Sequence, residues 1–320
     1  MSYRGIMSRM GINIDDYNVD IWNGKISARN LWSRFGDVFY LDTAITTGGT
    51  GRNWAKAFKT LAAAQAKMVA GDALLVKGAA LNEQLTINKA GVTVWGVGPG
   101  VGRCLWTAPN DTYCIEIDTV DDCLIGGNIR FRPPAYTAYT PAAIYLHGLQ
   151  KNTVIQGCRF QGKASSYYGI LTDGLQSEVH ILDNEFWYMN TATNGTAIKG
   201  TGYATAEPTG WIIEGNRFHS NLNHIVCRLR QSMIINNYFA GAGLDHNNVD
   251  QAILTVLGID IHGATGGCNV VTRNYLGSLY HQACYYGGTN DDWGGNFVTD
   301  RSHGTQVDAT TGLSILPPAA

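Results

Sequence analysis

The chain repeats itself, and the repeat leaves few folds open. A short apolar strand runs into a polar turn and then into an aromatic or aliphatic anchor. The pattern reads Val154-Ile155-Gln156-Gly157-Cys158-Arg159-Phe160, then Ile181-Leu182-Asp183-Asn184-Glu185-Phe186, then Ile212-Ile213-Glu214-Gly215-Asn216-Arg217-Phe218. It returns as Ile234-Ile235-Asn236-Asn237-Tyr238-Phe239, Val271-Thr272-Arg273-Asn274-Tyr275-Leu276 and Trp293-Gly294-Gly295-Asn296-Phe297-Val298. Five steps carry the anchor from Phe160 to Val298, about 28 residues per step. An earlier copy ending in Phe131 is shifted, with Asn128 three residues before the Phe instead of two. A second apolar strand precedes the anchor motifs, at 143–146, 169–171, 197–199, 225–226 and 258–261. A unit this small cannot bury its apolar residues alone, whereas stacked units bury a continuous column.

Two or three short strands per repeat, each closed by a Gly or Asn turn, give an all-β chain. The architecture expected is a right-handed parallel β-helix, a solenoid whose strands pair with the rungs above and below at about 4.8 Å. Equivalent residues then stack. Phe160, Phe186, Phe218, Phe239 and Leu276 are expected as an interior column. Asn184, Asn216, Asn237, Asn274 and Asn296 are expected as a turn column. Asn tolerates left-handed backbone, and stacked Asn side chains bond along a column. Cys158 holds the same position, which implies burial. The chain has 39 Gly and 8 Pro, is 45% hydrophobic and only 15% charged, which suits many tight turns. Its seven cysteines are odd in number and show no Cys-x-x-Cys pair, so reduced, buried thiols are expected.

Four segments follow. Residues 1–36 form an N-terminal arm, 37–108 a lead-in module with a capping helix, 109–300 the β-helix, and 301–320 a C-terminal tail. In the arm, Ile12, Ile14, Tyr17, Trp22 and Trp32 are the candidate attachment residues, either folding back along the solenoid or docking on another protein. One helix is predicted from about Trp54 to Val69, with Trp54, Phe58, Leu61 and Met68 on a single apolar face and a run of Ala supplying propensity. Such a helix can cover the open end of a solenoid, whose first rung otherwise exposes its interior and an unpaired edge.

Asn53-Trp54-Ala55-Lys56-Ala57-Phe58-Lys59-Thr60-Leu61, then Gly71-Asp72, then Leu74-Leu75-Val76, and Val92-Thr93-Val94-Trp95-Gly96 after them, resemble the N-terminal module of pectate-lyase-like β-helix proteins. The likeness spans residues of about 38–300; its motifs are specific for fold and weak for function. Within that family the chain resembles the members found on bacteriophage particles. The resemblance implies a homotrimer on the virion surface, made in the host cytoplasm, with the major capsid protein or other virion proteins as partners.

The function classes divide on the polar residues. A net charge of −2, with no basic run beyond Arg228-Leu229-Arg230, gives no case for nucleic acid. No apolar run reaches the length of a membrane span, and the opening residues lack the apolar core of a secretory signal. No cofactor or metal is implied: the eight histidines show no ligand spacing and are expected at surface or turn positions. The best acidic group for glycoside chemistry is Asp183 and Glu185, with Glu214 one rung on, where two carboxylates could flank a glycosidic bond; the alternative is solvent-facing residues beside the Asn column. Asp121-Asp122 and Asp291-Asp292 read as turn residues. Tyr136, Tyr139, Tyr145, Tyr167 and Tyr168 suit either a host-glycan surface or a subunit interface. With no catalytic constellation, a short arm and a short tail, the function expected is a trimeric capsid decoration (cement) protein. The alternative is a short tailspike that binds or depolymerises host polysaccharide.

Overall fold

The structure is a computed structural model. It describes residues 36–78, 80–97, 104–107, 109, 112–133, 141–162, 167–189, 195–201, 207–240, 255–261, 267–277, 280–287 and 290–298. The attachment candidates Ile12, Ile14, Tyr17, Trp22 and Trp32, the tail at 301–320, and Tyr136 and Tyr139 lie outside these residues.

The described residues, all from Gly36 onward, belong to one compact unit. Its strands form three long parallel sheets. Sheet A has ten strands, from Val38–Asp42 to Asp292–Gly294; sheet B has eight, from Cys104–Trp106 to Phe297–Val298; sheet C has eight, from Leu85–Ile87 to Tyr280–Tyr286. From Thr93–Gly96 onward the chain visits A, B and C in turn and then returns to A one rung on, so the strands pair with their counterparts in the next rung; the earlier strands lie in A, A and C. This is the expected parallel β-helix.

Register fixes the core. Phe131, Phe160, Phe186, Phe218, Phe239, Leu276 and Val298 are successive Cα partners in sheet B. The rings of Phe160, Phe186, Phe218 and Phe239 stack with centroids 4.4, 4.9 and 4.7 Å apart and are nearly parallel, and all four are fully buried. The shifted copy rejoins this column because Gly127 (φ 80°) and Asn128 take up the extra residue at the corner. Sheet C contributes a column of Ile115, Ile144, Ile170, Ile198, Ile225 and Ile259, and sheet A one of Val94, Ile125, Ile155, Ile181, Ile213 and Ile234. Stacked rings and branched chains fill the prism at about the density of a protein interior.

The Asn column closes the corner between sheets A and B. The side-chain oxygens of Asn184, Asn216, Asn237, Asn274 and Asn296 accept from the backbone N–H of the residue one rung before, at 2.9–3.0 Å. Their amides donate to the carbonyls of Ile155, Ile181, Ile213, Ile234 and Val271. Where another Asn follows, the amide also bonds its oxygen at 3.0–3.1 Å. The left-handed backbone expected at these Asn residues lies one residue earlier, at Gly157, Asp183, Gly215, Asn236, Arg273 and Gly295, with φ of 53–68°. The turn residue swings the chain, which leaves the Asn free to point inward. A second ladder, on the corner from C to A, was not legible in advance. There Ser232 accepts from Trp211 N–H, Asn269 from Ser232 N–H, and Asp291 from Asn269 N–H, so Asp291 is a buried ladder residue.

The single helix predicted from Trp54 to Val69 is broken. Trp54–Lys56 is a 3-10 turn and Leu61–Gln65 a short α-helix, with Asn53 and Thr60 as separate N-caps. Between them Phe58 bridges Leu41 as a strand would, donating to Tyr40 O at 2.7 Å and accepting from Asp42 N–H at 2.9 Å. Backbone pairing with the first strand thus overrides local helix propensity. Phe58, Leu61, Ala64 and Met68 still enter the core, while Trp54 packs outside sheet A against Tyr40. Two further expectations change. Cys268 is exposed because it occupies a left-handed corner (φ 57°); Cys104, Cys114, Cys123, Cys158 and Cys227 are buried. His224 is not a surface residue but is fully buried between Phe218 and Phe239, with Asn221 Nδ2 3.2 Å from its Nδ1.

Two outcomes are expected. Asn216→Ala orphans buried backbone groups and should cost about 3 kcal/mol, against about 1 kcal/mol for Asn296→Ala at the part-exposed end of the ladder; urea unfolding followed by circular dichroism reads both. Burial pulls the His224 imidazole down to about 3, against a backbone hydrogen bond at Ala240 that favours its charged form. The unfolded chain therefore binds a proton that the folded chain refuses between about pH 6.5 and that lowered value. Stability should fall as pH drops through this window, and His224→Gln should flatten that part of the melting-temperature profile.

Candidate functional site

Everything chemically available lies on the outer faces and corners, because the interior is filled. The three carboxylates singled out from the sequence come to lie on three different elements. Asp183 is the left-handed turn residue, with its Oδ1 so near Gly215 that a β-carbon there would stand 2.6 Å from it. Glu214 ends a sheet A strand and accepts from Asn236 Nδ2 at 3.0 Å. Glu185 opens a sheet B strand and holds Arg159 Nε at 2.7 Å and His219 Nε2 at 3.3 Å. The turn at Asp183 breaks the strand alternation that would have set Asp183 and Glu185 on one face.

Glu185 sits in a dense local network. The Trp187 and His219 rings stack at 5.9 Å, and the Arg159 guanidinium lies 5.7 Å from the Trp187 ring centre. Burial alone would raise the Glu185 carboxyl, but the His219 hydrogen bond and the charges of Arg159, His219 and Arg217 outweigh it and hold the group below its ordinary range. A carboxylate held ionised by the Arg159 and Arg217 charges is a poor proton donor, so glycoside hydrolysis with Glu185 as general acid does not fit this geometry.

A different cluster lies on the outer face of sheet C, where Tyr145, Tyr167 and Tyr168, named from the sequence, are joined by Glu116, His147 and Tyr113, which were not. Glu116 accepts from Gln84 Nε2 at 3.0 Å and Thr86 Oγ1 at 3.4 Å, and stands 3.7 Å from His147 Nδ1. Tyr145 lies beside it, its ring 4.6 Å from Tyr113 and 5.1 Å from His147. Burial, then Asp173, Tyr113 and Glu116, push the Tyr145 hydroxyl up to about 12. Tyr167 and Tyr168 meet edge to face on the same side. Ala142, Tyr168 and Leu171 form an apolar patch here, with Tyr113, Tyr145 and Tyr167 packed around it. Tilted tyrosines beside a carboxylate offer stacking surface and an acceptor for hydroxyl groups. The signal lay in register: Glu116 and Tyr145 are Cα partners, which spacing along the chain does not show.

The buried thiols offer no chemistry. Burial, with a smaller push from Asp42, raises Cys104 to about 12, and burial raises Cys158 further. Among the described residues no three His, Cys, Asp or Glu side chains converge as a metal set, and no helix is long and apolar enough to cross a membrane.

No protein-family profile matches the chain, and no curated protein matches it. Similar solved structures include pectate lyase Pel9A, at 15% identity and a TM-score of 0.49, over 75% of this chain and 63% of the lyase. The chain thus spans less than two thirds of that enzyme. A rhamnogalacturonan lyase aligns at 13% identity and a TM-score of 0.37, over 82% of this chain and 87% of its own. The Dettilon tailspike protein aligns at 14% identity and a TM-score of 0.31, over 92% and 73%. These likenesses concern the fold; no residue role is carried over from them.

The Glu185 network yields a pH test. Its lowered carboxyl stabilises the fold fully above the ordinary glutamate range near pH 4.3, and the contribution is lost as pH falls through the lowered value. Glu185→Gln should therefore melt lower than the parent at neutral pH, and the gap should close in acid. An equal gap at every pH would show that the ionised pair with Arg159 contributes nothing.

Proposed function

We propose that this chain is a static structural protein of a bacteriophage particle, a homotrimeric decoration protein that ties neighbouring capsomers together at the virion surface. One observation carries the reading. The β-helix, its strands paired rung to rung, leaves large apolar side chains facing outward on sheets A and B: Met233 (38% exposed), Tyr238 (40%) and Phe297 (57%). Side chains of this kind, beside Arg and stacked aromatic rings, are what protein partners cover. The carboxylates singled out from the sequence are meanwhile engaged in holding a corner or a strand. Partners of this reading are further copies of the chain and the major capsid protein.

The Glu116, His147, Tyr113 and Tyr145 cluster favours a second reading, a short tailspike that binds host surface glycan on sheet C. The two readings differ in location and in ligand. Imaging of the particle at subunit resolution should place the chain on the capsid, and light scattering at micromolar concentration should give a trimer. Density at the tail together with glycan binding lost in Glu116→Gln would transfer the assignment to the second reading, and a stable monomer would contradict the trimer that both readings share.

A further inference from the structure

The outer face of sheet B carries a charge pattern that the solenoid itself does not require. The residue before each anchor faces outward, and in successive rungs these are Arg130, Arg159, Glu185 and Arg217. Arg132 lies two residues beyond Arg130, with its Nη2 3.5 Å from Gln161 Oε1. Four arginines thus share one face with one glutamate, in a chain whose net charge is −2. Arg130 and Arg159 are Cα partners, so two cationic side chains stack one rung apart, about 4.8 Å, an arrangement that disfavours folding. Glu185 offsets this on the Arg159 side. On the other side, Arg130 Nε is buried and makes no hydrogen bond within the protein.

The same column continues as Tyr238, Tyr275 and Phe297. Their rings stack at 4.9 and 5.5 Å, with planes 2° and 16° apart. The rings cover one another's facing sides, and the Arg217 guanidinium lies 5.6 Å from the Tyr238 ring centre, so among the described residues Phe297, at the end of the ladder, keeps the most open face for a sugar ring. Exposed aromatic edges next to guanidinium groups are the composition of protein-binding hot spots.

We propose that the outer face of sheet B is a docking surface for a protein partner presenting carboxylates, gripped by Arg130, Arg132, Arg159 and Arg217 and flanked by the Tyr238, Tyr275 and Phe297 ladder. Guanidinium groups meet carboxylates through paired hydrogen bonds, and an incoming carboxylate would relieve the Arg130–Arg159 stack. The inference rests on the structural reading above: the partner is an acidic surface of a neighbouring particle protein.

The test measures binding of the full chain to poly-L-glutamate, dextran sulfate and duplex DNA, at low salt and at about 1 M salt, where the screening length is about 3 Å. Poly-L-glutamate should bind best, and salt should weaken it by at least about tenfold. Arg132→Gln and Arg217→Gln should each weaken it by about tenfold, Arg132→Gln with an unchanged melting curve, while Lys199→Gln on sheet C should leave it unaltered. Tighter binding of dextran sulfate or DNA overturns the choice of a protein partner. Binding that ignores both arginine substitutions overturns the choice of face. The Arg132→Gln/Arg217→Gln chain should be lost from particles that carry the parent chain; particles that retain a full complement of it discard this surface and keep the virion reading, and a parent chain absent from particles removes that reading itself.

Discussion

Vertical pairing between equivalent residues is the interaction on which this molecule depends. A strand of three residues in sheet B has too few hydrogen bonds and too little buried surface to persist alone. It persists because the strands above and below supply both, and they do so in one register only. A slip of one residue would turn Phe186 outward and Glu185 into the core. The Asn ladder guards against such a slip, because each Asn reads the backbone of the rung before it and the side chain of the rung after it. The phenylalanine stack and the Asn ladder therefore enforce the same register, one through packing and the other through hydrogen bonds.

This constraint also governs the surface. Since equivalent residues stack, any outward residue type that repeats becomes a stripe. Sheet C gains a carboxylate-and-tyrosine patch in this way, and sheet B gains an arginine stretch that passes into an aromatic ladder. A solenoid of this kind turns short repeats into long stripes, which suits contact with extended or repeated surfaces.

Much of the fold was legible because its two strongest columns use one residue type at a fixed offset. Phe160, Phe186, Phe218 and Phe239 announce themselves, as do Asn184, Asn216, Asn237 and Asn274. The Ser232, Asn269 and Asp291 ladder changes residue at each rung, so no repeat betrays it. The left-handed corners mix Gly, Asp, Asn and Arg, because backbone geometry rather than side-chain chemistry selects them. The segment 54–65 reads as one helix by composition, yet Phe58 is claimed by the first strand. On the surface, Glu116 and Tyr145 meet only through register. The arginine column, by contrast, could have been found in advance, because Arg130, Arg159 and Arg217 each stand directly before an anchor phenylalanine.

Cysteine cross-linking tests the central claim most directly. In a chain with the exposed Cys268 replaced by Ser, Tyr238→Cys and Tyr275→Cys place two thiols on facing positions of neighbouring rungs, about 4.8 Å apart at the backbone and within disulfide reach. Stacked register predicts rapid, complete closure of that bond under mild oxidation, while Tyr238→Cys paired with Arg273→Cys, two residues off register at a corner, stays open. Equal cross-linking of both pairs, or of neither, would contradict the stacking from which the rest of the structure follows.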